Sequence, residues 1–292
     1  MAIHAHILHN GSVREASDGG LYAGQLGLLA GWGVFTTLRV SEGALFAWER
    51  HWSRMSRDAK ALNVPMPSSA SELESGLLRL IQANGCANCT LRLVIVRNSG
   101  GMWEGPHGDQ RPIDVIALTA DSKQWGTGVR LDVTPNARFA ANEFAGAKIL
   151  SWGHNLTWAE RAQKKGFDET VLLNEHGKVA ECTSANIFAI RGSEVFTPPL
   201  TDGCLPGITR EVLLNEIRAG EIRIAERTLT LDDLYSSDGA FITSTTRDLL
   251  PIFEIAGRSL RRESQVSDRL SAAFRAFVTR DIASRKPAPA SV

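Results

Sequence analysis

From residue 128 onward the chain is a succession of short apolar segments closed by turn residues: "VRLDVT", "ETVLLN", "KVAE", "NIFAI" and "EVFTP". Strands this short bury enough apolar surface only when several are gathered into one sheet, so this half must fold as a strand-rich layer. One helical stretch interrupts it, from about Trp152 to Lys165, and stops at Gly166; later helices follow "GITREVLLNEI" and "DRLSAAFRAFVTRDI". The first 120 residues read differently. "IHAHIL", "VFTTLRV" and "ALFAW" alternate as strands do, and "RHWSRMSRDAKALN" carries the 3.6-residue period of a helix. Ser69 stands three residues before Glu72 as a capping box for a second helix that Gly85 closes, and "TLRLVIVR" and "IDVIALTA" follow as strands around the Gly- and Pro-rich loop "NSGGMWEGPHGDQRP". Strands segregated from helices predict an α+β fold of two domains. The expected division is a small N-terminal α/β domain over 1–120, a linker over 121–127, and a larger strand-rich α+β domain over 128–292.

The composition bounds the partners. Of 292 residues 43% are hydrophobic, which supports a real core, and the 32 basic and 32 acidic side chains cancel. No overall field therefore favours nucleic acid or an anionic membrane, and any anion must be held locally. No apolar run is long enough to span a bilayer, and the N-terminus lacks the pattern of a secretory signal, so a cytoplasmic protein is expected. Four cysteines are read as reduced thiols, with "CANC" as a loop entering a strand. Scattered histidines give no metal-binding spacing, and no metal is expected.

Chemistry is concentrated elsewhere. In "AGAKIL", Lys148 sits among small and apolar neighbours, where an amine is kept partly desolvated and neutral often enough to attack a carbonyl; a buried stem with a snorkelling head is the plainer reading of that residue alone. Glu181, between Ala180 and Cys182, is costly in a semi-buried strand unless a cation meets it. In "CLPGITR", Gly207, Ile208 and Thr209 lie where a loop enters a helix, so free N–H groups and a hydroxyl point out together. "FITSTT" adds Ser244 and Thr245 at a strand end, and Arg54 lies on the helix after Trp52. A lysine for an imine, a carboxylate for a cationic ring nitrogen, and an arginine with hydroxyls and N–H groups for a dianion together match the needs of pyridoxal 5′-phosphate.

The order of "AGAKIL", "DETVLLN", "VAECTSANIF", "LPGITR" and "ITSTT" resembles the class IV, or fold-type IV, aminotransferase family, which includes branched-chain aminotransferases, D-amino acid aminotransferase and 4-amino-4-deoxychorismate lyase. The resemblance covers nearly the whole chain. It implies Lys148 as the Schiff-base lysine and Glu181 as the partner of the pyridine nitrogen. It implies Arg54, Ile208, Thr209, Ser244 and Thr245 as phosphate contacts, Leu205 as the apolar residue against the ring, and Asn186 as a structural support. It also implies a homodimer.

Within the family, "VFTTLRV" and "ECTSANIF" are nearer the lyase, whereas Met102 stands where the lyase has an arginine and Trp32 where relatives commonly have an acid. Phe35 matches the aromatic of the substrate pocket, which Trp32 and Met102 would extend as an apolar surface. The expected function is amino-group transfer from a small amino acid or amine to a 2-oxo acid. Release of pyruvate from aminodeoxychorismate is the alternative, and a non-catalytic cofactor-binding scaffold stands further off.

Overall fold

The structure is a computed structural model that describes residues 2–18, 25–100, 111–262 and 265–285. It contains both helices and strands in two separate sheets, the α+β arrangement expected. The chain divides into two compact units: one comprises 1–123, 148–152 and 278–292, the other 124–147 and 153–277.

The first unit begins with β1 (Ile3–His9) and β2 (Ser12–Glu15), continues through α1 (Leu26–Ala30), β3 (Gly33–Ser41), β4 (Ala44–Leu45), α2 (Trp48–Ala61) and α3 (Ala70–Ala83), and closes its sheet with β5 (Cys89–Arg97) and β6 (Ile113–Asp121). The sheet order is β2-β1-β6-β5-β3-β4, with every pairing antiparallel. Leu38, Leu91, Leu93, Leu77, Leu80 and Met55, all essentially inaccessible, form its core against α2 and α3. Ser69 caps α3 as anticipated, its hydroxyl accepting the Glu72 N–H at 3.1 Å, and Gly85 follows in the left-handed region at φ 59°.

"ALFAW" departs from its expected strand. Only Ala44 and Leu45 pair, Ala47 turns to φ 53°, and α2 already starts at Trp48. The apolar run is explained by burial on all sides, a pattern that does not distinguish strand from helix. The unusual Ala47 backbone is held by a hydrogen bond from its N–H to Asp281 Oδ2 at 2.9 Å.

The second unit is built on β7 (Val129–Arg138), α4 (Gly153–Lys164), β8 (Glu169–Asn174), β9 (Val179–Cys182), β10 (Asn186–Arg191), β11 (Glu194–Thr197), α5 (Ile208–Asn215), β12 (Arg223–Glu226), α6 (Leu231–Tyr235), β13 (Gly239–Ser244), β14 (Asp248–Ile255) and β15 (Arg258–Ser259), followed by α7 (Gln265–Ser284), whose last residues group with the first unit. Its mixed sheet runs β12-β11-β10-β13-β14-β7-β8-β9, with β15 against β14. Central strands β8 and β10 are buried on both faces, which is why "ETVLLN" and "NIFAI" read as nearly continuous apolar runs. α5 packs on β13.

Candidate active site

Lys148 and its two successors lie along β3 of the first unit. Phe35 N–H donates to the Lys148 carbonyl at 3.1 Å, Leu150 N–H donates to Gly33 O at 2.9 Å, and Val34 bridges Ile149. Gly33 is required there: a Cβ on it would come within 2.4 Å of Ile95 O and 2.5 Å of Leu150. The Lys148 side chain leans over the Phe35 ring, with Nζ 4.4 Å from the centroid, and Trp152 meets Phe35 edge-on at 5.8 Å. The aromatic face attracts a cation and keeps water off the stem.

A second cation shares that ring. Arg92 of β5 places its guanidinium 4.0 Å from the Phe35 centroid, and among the described residues it makes no hydrogen bond or ion pair. Burial holds its pKa below the usual arginine value. Arg92 escaped the sequence reading because "TLRLVIVR" announces a strand and nothing in it tells which way an arginine faces; alternation from the buried Leu91 and Leu93 was the available signal.

Arg54 of α2 is 8% exposed and donates from Nη2 to Thr36 Oγ1 at 2.9 Å. The same hydroxyl lies 2.7 Å from His51 Nδ1. His51 is fully enclosed, and its Nε2 has no partner among the described residues. Burial first, then the charges of Arg54, Lys148 and Arg285, push this imidazole well below its ordinary value, so it stays neutral. Trp32 donates its indole N–H to Leu62 O at 2.8 Å and carries Arg97 over its ring at 4.2 Å. Met102 lies outside the described residues.

The second unit holds the other singled-out residues. Glu181, on β9, is 7% exposed and pairs with Arg138 of β7 through Nε at 3.2 Å and Nη2 at 3.1 Å, while its second oxygen accepts the Leu205 N–H at 3.1 Å. The required cation was thus Arg138, 43 residues upstream and invisible to local pattern. Arg138 is itself fixed by Asn155, which donates to Thr183 O at 2.6 Å.

Asn186 performs the supporting role expected of it, donating to Leu205 O at 2.8 Å. Gly207 stands so close that a Cβ would lie 2.0 Å from Asn186 Oδ1. α5 then starts at Ile208, with Gly207 as its N-cap and no side-chain cap. Thr209 Oγ1 and, at the end of β13, Ser244 Oγ are buried and unpartnered among the described residues. Thr245 follows in the turn after β13. Two buried hydroxyls without partners are each worth about 1–3 kcal/mol of lost hydrogen bonding unless something fills the space.

The chain is similar to known proteins over almost its full length. The profile of the amino-transferase class IV family fits residues 33–255. A putative branched-chain-amino-acid aminotransferase of Methanocaldococcus jannaschii is 30% identical over 275 residues, 93% of this chain and 96% of that protein. A D-alanine aminotransferase of Bacillus licheniformis is 27% identical over 271 residues, 87% and 89% of the two chains. The crystal structure of a branched-chain aminotransferase from Thermoproteus uzoniensis with norvaline superposes with a TM-score of 0.83 at 27% identity, covering 95% of this chain and 96% of that one. The chain belongs to the class IV aminotransferase family and is an enzyme of that class of transaminases.

Proposed function

We propose that this enzyme moves an amino group between a carboxylate-bearing small amino acid and a 2-oxo acid, using pyridoxal 5′-phosphate held on Lys148. The observation that carries the reading is the pair of cations, Lys148 and Arg92, over the one Phe35 ring. A partly buried guanidinium that shares a ring with the Lys148 amine suits the carboxylate of an amino or oxo acid, which it takes in bidentate form.

The residues present fit the cofactor. Thr209 and Ser244 offer buried hydroxyls with no other partner, and the N-terminus of α5 lacks a side-chain cap, both suited to a phosphate. Arg54, Ile208 and Thr245 complete the proposed phosphate contacts, Leu205 the contact with the ring face, and Glu181 the acceptor for the ring N–H. Arg138 and the Leu205 N–H keep the Glu181 carboxylate in one orientation. When bound, the cofactor's protonated ring is an electron sink for the charge left at the substrate Cα.

The protein's own part is proton handling and orientation. Lys148 Nζ takes the proton from the substrate Cα and returns it on the other side of the reaction, Phe35 limits where that amine can swing, and Arg92 aligns the substrate by its carboxylate. Phe35 forms the substrate pocket; Trp32 and Met102 are proposed to extend it.

A panel of amino acid and amine donors, with 2-oxoglutarate or pyruvate as acceptor, tests the reaction, and Lys148→Ala should abolish turnover and the absorbance band at roughly 400–430 nm that the purified wild-type protein shows. Turnover retained in Lys148→Ala would refute it. The lyase reading rests on "VFTTLRV" and "ECTSANIF"; pyruvate released from aminodeoxychorismate without an acceptor would select it. We also propose a cytoplasmic homodimer, supported by four free cysteines and by the exposed Phe139 and Phe144, with sedimentation as the check on assembly.

A further inference from the structure

We propose that Asp58 is a positioning residue for Lys148, gripping the peptide that carries the reactive amine; this rests on Lys148 being the cofactor lysine. Asp58 is 2% exposed, and its Oδ2 accepts the Lys148 N–H at 3.1 Å. The pairing with β3 explains why an acceptor is needed. Lys148 gives its carbonyl to Phe35 N–H, and the next bond back to β3 comes from Leu150 N–H to Gly33 O, while the Lys148 N–H takes its acceptor from α2. Asp58 supplies it, and the peptide is held on both sides.

Helix energetics alone would not put an aspartate there. Asp58 lies in the last turn of α2, where the helix dipole disfavours an anion, and where burial disfavours it further. Arg57 Nε offsets this by donating to Oδ1 at 3.0 Å. Both oxygens are occupied, one by Arg57 and one by the Lys148 amide. Arg54 lies four residues earlier on the same helix face and reaches Thr36 on β3, so α2 fixes the phosphate-directed arginine and the lysine backbone as one rigid piece.

The consequence is specific to the covalent contact. Lys148 Nζ joins the aldehyde carbon of pyridoxal 5′-phosphate, with the aldehyde oxygen leaving as water, and only an amine held at the right point completes that bond. Pyridoxamine 5′-phosphate shares the ring and phosphate but has no aldehyde to offer. Full-length Asp58→Ala, Asp58→Asn and Lys148→Ala are compared with wild type for the equilibrium affinity of both compounds and for borohydride-trapped label on Lys148 by mass spectrometry. Asp58→Ala should weaken pyridoxal 5′-phosphate on the order of tenfold, leave pyridoxamine 5′-phosphate nearly unchanged, and slow labelling of Lys148. Asp58→Asn, whose amide oxygen still accepts the N–H, should recover most of the loss. Equal weakening of both compounds, unaltered affinities, or no recovery in Asn would overturn the proposal. Wild type that shows no label on Lys148 would instead remove the underlying reading, whatever Asp58 does.

Discussion

The neutral imidazole of His51 makes a quantitative statement about stability against pH. In the folded chain it is enclosed, shares the Thr36 hydroxyl with Arg54, and feels the charges of Arg54, Lys148 and Arg285, all of which oppose a further proton. In the protonated ring both nitrogens carry hydrogen, and Nε2 has no partner among the described residues. In the unfolded chain the same ring titrates near its ordinary value of 6.5. With the folded value depressed, the unfolded state binds the extra proton as pH falls through 6.5, so the contribution of neutral His51 is fully present above that pH and declines below it. Between about pH 7 and about pH 5.5 the loss from this one group is on the order of 1 kcal/mol. The assay is urea denaturation of cofactor-free protein at both pH values, wild type beside His51→Gln, so that every other titrating group cancels in the comparison. Wild type should lose this amount relative to the variant. Parallel behaviour of the two proteins, or a His51 ring resonance with a midpoint at or above the ordinary imidazole value, would refute the reasoning.

Other outcomes follow from single contacts. Arg92→Met should raise KM for 2-oxoglutarate about tenfold with a smaller change in kcat, since a charge-assisted hydrogen bond is lost and the amine is untouched; an unchanged KM in steady-state kinetics would detach Arg92 from the substrate. Gly207→Ala should displace Asn186, whose oxygen would meet the new Cβ at 2.0 Å, and free the Leu205 carbonyl; weaker binding of pyridoxamine 5′-phosphate by calorimetry is the readout, and wild-type affinity would show the turn can yield. Burial raises the Cys182 thiol well above its ordinary value and lifts Cys204 to about 12, with Glu181 adding to the latter, whereas Cys86 is half exposed. Maleimide at mildly alkaline pH should therefore label Cys86 first by peptide mass, and early labelling of Cys204 would contradict its enclosure.

The proposed site was read as residue types in order. Lys148 among small residues, Glu181 in a short strand, and the "GIT" and "TST" turns are each weak alone, and only their order along the chain pointed to one ligand. The partners were not legible. Arg138 answers Glu181 from another strand, Asp58 reaches the Lys148 amide from 90 residues upstream, and Arg92 shares a ring with Lys148 only because β3 and β5 pair in one register. None of these has a sequence spacing, because each is set by strand pairing and helix placement.

The same distinction separates the two halves of the fold. Alternation and the 3.6-residue period determined which segments are strands and helices, since those periods are properties of the backbone itself; "ALFAW" failed because burial on all sides erases the period. Which unit holds Lys148 was decided only in three dimensions. Residues 148–152 group with the N-terminal unit although they interrupt the C-terminal one in sequence, because their backbone hydrogen bonds are made to β3 and their buried N–H to α2. Backbone groups removed from water must find partners, and where the chain finds them is a tertiary fact.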